Sequence, residues 1–97
     1  SARFEAEDKR RELDSMYRGA RAEHEALAQR VKIFAERILP AAEREANLTV
    51  AGFARDQSMR REARLKALDT TLELTRLRVD LAKSRAELLY LTGEEQP

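Results

Sequence analysis

Residues 65–91 read LKALDTTLELTRLRVDLAKSRAELLYL, and the spacing of their apolar positions decides the fold class. Leu65, Leu68, Leu72, Thr75, Val79, Ala82, Ala86 and Leu89 recur alternately three and four residues apart, the heptad signature of one helix packed along another. A second seam, Ala67, Thr70, Leu74, Leu77, Leu81, Ser84, Leu88 and Leu91, has the same spacing displaced by two residues. At about 100° per residue, that displacement sets the two seams on nearly opposite faces. A helix in a lone pair needs one seam. The second therefore predicts further helices, supplied by self-association or by a parent protein.

Toward the N-terminus a matching pattern runs through Ala6, Arg10, Leu13, Tyr17, Ala20, His24, Leu27, Val31, Phe34, Ile38, Ala41, Glu45 and Leu48. From about Leu27 the stripe widens, with Ala28, Ala35, Leu39 and Ala42 on one side and Ala26 and Ile33 on the other, so this half is expected to be the more buried. Between the two patterns, Asn47 to Gly52 combines weak helix formers with a glycine able to end a helix. The fold class expected is all-α, an antiparallel helical hairpin assembling into a larger helical bundle or α-barrel. Its helices span about residues 3–50 and 58–92, joined by a turn over about 51–57. Each arm would extend on the order of 55–65 Å at about 1.5 Å per residue. Asp56 or Ser58 is placed to cap the second helix, and Thr92-Gly93 to stop it.

Pro40 interrupts the first helix, since it has no N–H and its ring clashes with the carbonyl of Glu36. A kink or a full break satisfies that constraint. The strong helix formers Ala41 to Ala46 favour a kinked, continuous helix.

Composition supports the helical reading. Charged residues are 38% of the 97, aromatics only 5%, and Gly and Pro number three and two, too little β-branched, aromatic and turn material for a sheet. Nineteen basic against eighteen acidic residues leave a net charge of +1, without the overall field of a nucleic-acid binder. There is no cysteine, which excludes disulfides and thiolate metal sites. Nothing resembles a signal peptide, and no apolar run is long enough to span a membrane. The chain begins at Ser1 and ends at Pro97 just past the Thr92-Gly93 stop, and we expect it to be a segment of a longer protein.

A search for chemistry finds little. His24-Glu25 opens like a zinc-protease motif, but the second histidine would fall at position 28, which is Ala28. Carboxylates such as Glu43, Glu45, Asp69, Asp80 and Glu87 nearly all sit within three or four residues of an Arg or Lys, which reads as solvated intrahelical pairing. Ser15, Ser58 and Ser84 have no histidine near in sequence to activate them, and no glycine-rich phosphate loop is present. No catalytic, cofactor-binding or metal-binding residues are assigned, and a non-enzymatic role is expected. The arginines at 55, 60, 61 and 64 are interrupted by Asp56 and Glu62 and accompany no aromatic ladder, so a solvated face explains them better than a phosphate site. Beside them, the apolar Val50 and Phe53 at the turn form a candidate docking surface for another protein.

Three elements resemble, in order and approximate spacing, the hairpins of TolC-like outer-membrane efflux channels, in particular the heavy-metal and cation branch. They are Ile38-Leu39-Pro40-Ala41, then Phe53-Ala54-Arg55-Asp56 at the turn, then Leu88-Leu89-Tyr90-Leu91-Thr92-Gly93 closing the second helix. The resemblance covers most of residues 25–93. It departs at Asp56, where the family has a turn glycine, and at Gln57 to Glu62, a shorter and more polar stretch than usual. It implies a periplasmic segment of an outer-membrane protein that forms a homotrimer when full-length. Its hairpins would line the exit duct of a tripartite pump for metal cations or small toxic compounds. It also implies that Val50, Phe53, Arg55, Asp56 and Gln57 at the tip meet the periplasmic adaptor, and through it an inner-membrane transporter. This segment itself would touch neither membrane nor nucleic acid and would carry no cofactor. The packing residues expected are Leu27, Val31, Phe34 and Ile38 on the first helix. On the second they are Leu65, Leu68, Leu72 and Val79 on one seam and Leu74, Leu77, Leu81 and Leu88 on the other. Self-association of the isolated chain into a dimer or larger assembly is expected to hide the stripe through Leu74, Leu77, Leu81 and Leu88. The rival reading is a free-standing coiled-coil scaffold that dimerises into a four-helix bundle.

Overall fold

A computed structural model describes residues 2–48 and 57–93, and every one of these except Gly93 is helical. The first arm is α1 (Ala2–Ile33), a π-helical turn (Phe34–Ile38) and α2 (Leu39–Leu48), which follow one another without a gap. The second arm is one unbroken helix, α3 (Gln57–Thr92). Few of these residues oppose a helix. Thr70, Thr71 and Thr75, poor helix formers, return their hydroxyls to the carbonyls of Lys66, Ala67 and Thr71 at 2.7, 3.0 and 3.0 Å, a local bond that lets them sit inside a helix. Pairs such as Asp14–Arg18 (3.1 Å) and Arg21–Glu25 (3.3 Å) lie one turn apart and exposed, each adding about 0.2–0.5 kcal/mol. α3 closes where Gly93 turns left-handed at φ 73° and donates its N–H to the carbonyl of Tyr90 at 3.3 Å.

The chain divides into two compact units, Ser1–Ala28 with Asp80–Pro97, and Gln29–Val79. In the first unit, the described residues up to Met16 are all exposed, including Leu13 at 58%, so burial begins at Tyr17 and not at Ala6. From there Tyr17, Ala20, His24 and Leu27 are buried or half-buried, as are Leu81, Ser84, Leu88 and Leu91 of α3. The segments run antiparallel, since Leu27 shares a cleft with Asp80 and Ser84 whereas Tyr17 shares one with Leu88 and Thr92. Gly19 lies in α1 with nothing within 4 Å of where a Cβ would stand. Gly19→Ala is therefore expected to raise stability by about 0.5–1 kcal/mol, read as a higher midpoint in urea, because alanine loses less backbone entropy on entering a helix.

In the second unit, Val31, Phe34, Ala35, Leu39, Ala42 and Ala46 form the inner face of the first arm, and Ala63, Ala67, Thr70, Leu74 and Leu77 that of α3. Here too the arms are antiparallel. Phe34 lines a groove with Asp69 and Glu73, whereas Glu45 reaches Lys66 across the arms at 3.3 Å. That ion pair is exposed on both sides and worth at most about 1 kcal/mol. Apolar burial holds the unit together: Leu77 is 2% exposed and Leu74 3%.

The heptad pattern of the first arm does not continue past Phe34 as its sequence spacing implies. Ile38 is 39% exposed, Leu48 is 56% exposed, and Ala41 and Glu45 also face outward. The buried positions move on by one residue, to Leu39, Ala42 and Ala46. The π turn is the cause. Leu39 donates its N–H to the carbonyl of Phe34, five residues back, so the turn holds one extra residue and everything beyond it rotates relative to the helix before it. Its position follows from Pro40, which has no N–H to give and no room for a standard carbonyl four residues earlier. The irregularity demanded by Pro40 is thus taken up as a wider turn inside a continuous helical run.

Candidate functional site

The assigned tip residues Val50, Phe53, Arg55 and Asp56 lie outside the described residues, and Gln57, the last of the set, is the exposed first residue of α3. Gln57 lines an open groove of about 470 Å³ with Arg60, Arg61, Arg64, Leu65 and Leu68. The groove joins the arginine-rich first turns of α3 to the beginning of an apolar stripe.

That stripe is one of two apolar faces of α3, and the two differ in burial. Of the two seams on α3, the one through Ala67, Thr70, Leu74, Leu77, Leu81, Ser84 and Leu88 faces the first arm. Leu74, Leu77 and Ser84 are fully buried, and Ala63 extends the same face one turn toward Gln57. The stripe expected to be exposed is therefore the covered one. Within Gln29–Val79, Leu65, Leu68 and Leu72 stand 52%, 56% and 51% exposed and Val79 47% exposed. The two faces are chemically different. The covered seam mixes leucine with Ala63, Ala67, Thr70 and Ser84, and the first arm contributes Ala20 and Ala42 as its most buried residues. Small side chains let backbones approach closely, whereas the exposed stripe carries full-sized leucines. The hydroxyl of Ser84 has no hydrogen-bond partner, so its role in the seam is its size and not its polarity.

Leu27, Val31 and Phe34 occupy the inner face of the first arm as half-buried residues. Leu39 and Ala42, which the spacing places only beside the stripe, become its inner positions through the π turn, as does Ala46, and Ala63 follows from extending the second seam backward; Pro40 is the signal for the first three. His24 is half-buried in a cleft with Tyr17, Arg85, Leu88, Leu89 and Thr92, where apolar and cationic neighbours supply no metal-ligand set. Among the described residues, no group of three or more His, Cys, Asp or Glu side chains is placed to hold a metal ion. No described helix is long and apolar enough to cross a membrane. The chain matches no family model, no curated protein and no solved structure.

Proposed function

We propose that this chain is a periplasmic hairpin of a TolC-like outer-membrane efflux channel. It serves as a stave in the wall of the exit duct of a tripartite pump for metal cations or small toxic compounds. The observation that carries this reading is α3 itself, with one seam buried by its own chain and an apolar heptad stripe left on the opposite face. A helix in a closed wall of side-by-side hairpins needs packing on two sides, and a helix in an isolated pair does not. The sequence elements that contain Pro40, Phe53 and Gly93, in that order along the chain, support the resemblance to this family. Substrate passes along the wall, and the tip, Val50 to Gln57, meets the adaptor.

The test is made in the full-length protein. Reversing charge at the tip with Arg55→Glu and Asp56→Arg is expected to abolish efflux-dependent resistance and to reduce adaptor crosslinking by at least about tenfold. Unchanged resistance and crosslinking would overturn the tip contact. The same exposed stripe also suits a free-standing scaffold module, and the parent gene separates the two readings. Flanking β-barrel strands with neighbouring adaptor and transporter genes are expected for the channel. A complete short reading frame would sink it.

A further inference from the structure

In the first unit, a cleft of about 210 Å³ lies between α1 and α3, lined by Glu23 and Leu27 of α1 and by Asp80, Lys83, Ser84 and Glu87 of α3. All six belong to the unit Ser1–Ala28 with Asp80–Pro97, and none lies on the open stripe of Leu65, Leu68, Leu72 and Val79. Three carboxylates share the cleft with one ammonium. Lys83 follows Asp80 by three residues and precedes Glu87 by four, yet among the described residues none of these four charged groups forms an ion pair. Beneath them Ser84 is 5% exposed, and its hydroxyl has no hydrogen-bond partner. A buried hydroxyl in that state is unfavourable, so a donor entering the cleft gains an acceptor that the chain itself does not use. The small size of Ser84 serves the seam, and its oxygen is left to accept from outside the chain.

These groups define their occupant. It is cationic, to answer an excess of carboxylates, and it carries an N–H, to satisfy Ser84. A compact metal ion does not fit, because among the described residues no group of three or more His, Cys, Asp or Glu side chains converges closely enough to hold one. A quaternary ammonium has the charge without the donor. A guanidinium is broad and planar, whereas a primary ammonium is small enough to pass Leu27 toward the serine. Asp80 and Glu87 stand seven residues apart, about 10 Å along the helix, too far for a single ammonium to meet both. Several ammonium groups on one apolar stem meet all of these conditions, with the half-buried Leu27 against the methylenes. We propose that this cleft binds an aliphatic polyamine. The inference does not rest on the channel reading, since it needs only α1 and α3 within one unit, and it leaves the open stripe to a neighbouring hairpin.

The experiment titrates spermidine into the full, isotope-labelled chain and follows its amides by NMR, at an ionic strength of about 20 mM so that exposed charges are little screened. Shifts are expected at Glu23, Leu27, Lys83, Ser84 and Glu87, with a Kd of about 1 mM. Ser84→Ala, which changes no charge, is expected to weaken binding about threefold. Asp80→Asn with Glu87→Gln is expected to weaken it about tenfold. Glu5→Gln with Glu12→Gln removes two exposed carboxylates of α1 outside the cleft and is expected to leave binding unchanged. Tetramethylammonium and magnesium ion are expected to bind at least about tenfold more weakly than spermidine. Shifts spread over the acidic residues of both arms, an equal loss from the two carboxylate pairs, or magnesium binding as tightly as spermidine would overturn the proposal. Asp80 and Glu87 are exposed, so their paired variant keeps the test valid if Ser84→Ala disturbs the seam.

Discussion

Leu77→Ala is expected to destabilise the chain by about 2–5 kcal/mol, enough to remove most of its cooperative unfolding transition. Leu77 is the most deeply buried large side chain among the described residues, at 2% exposure, and Leu74 on the same face is 3% exposed. Truncation removes three buried carbon atoms and leaves a cavity between two helices that have no third layer to collapse into it. The measurement is urea unfolding followed by circular dichroism, with Tyr90→Ala as the control. Tyr90 is 75% exposed on the same helix, and its truncation is expected to change stability by no more than about 0.5 kcal/mol. Equal effects from the two variants would mean that the seam through Leu77 is not the face that holds the arms together.

Deleting a single residue is expected to have opposite outcomes in the two arms. Arg37 is exposed in the π turn, and its removal together with Pro40→Ala converts that turn to ordinary α-helix. Leu39, Ala42 and Ala46 then fall on the heptad that Leu27, Val31 and Phe34 establish, so the packed face survives. The thermal midpoint is expected to stay within about 4 °C of the parent chain, corresponding to less than about 1 kcal/mol. Deleting Arg76, also exposed but inside α3, has no extra residue to absorb the loss. Every position from Leu77 onward rotates by about 100° relative to Leu74, moving the covered seam out of alignment with the first arm. That variant is expected to lose its cooperative melt. If deleting Arg37 proved as damaging as deleting Arg76, the extra residue would not be what shifts the register.

Helicity follows from local sequence: the heptads, the abundance of Ala, Leu, Glu and Arg, and the scarcity of β-branched and aromatic residues all act within a few turns. The presence of two seams on α3 is equally local, because side-chain direction repeats with the helix. Pro40 announces an irregularity for a covalent reason, its missing N–H. The form of that irregularity is not local. A kink, a break and a wider turn all satisfy the proline, and the choice depends on which places Leu39, Ala42 and Ala46 against α3. The proposed tip contact is read from the sequence element Phe53-Ala54-Arg55-Asp56 and its neighbours Val50 and Gln57.

The sequence by itself determined that this protein is built from two long helices, and that the second carries an apolar stripe on each of two faces. Only the tertiary structure decided which stripe faces inward and where the first arm slips by a residue. Both stripes satisfy the same heptad rule, so spacing cannot rank them. The inward face is the one that buries Ala63, Leu74 and Leu77 of α3 while the first arm buries Ala42, and burial between two helices is a property that no single helix contains.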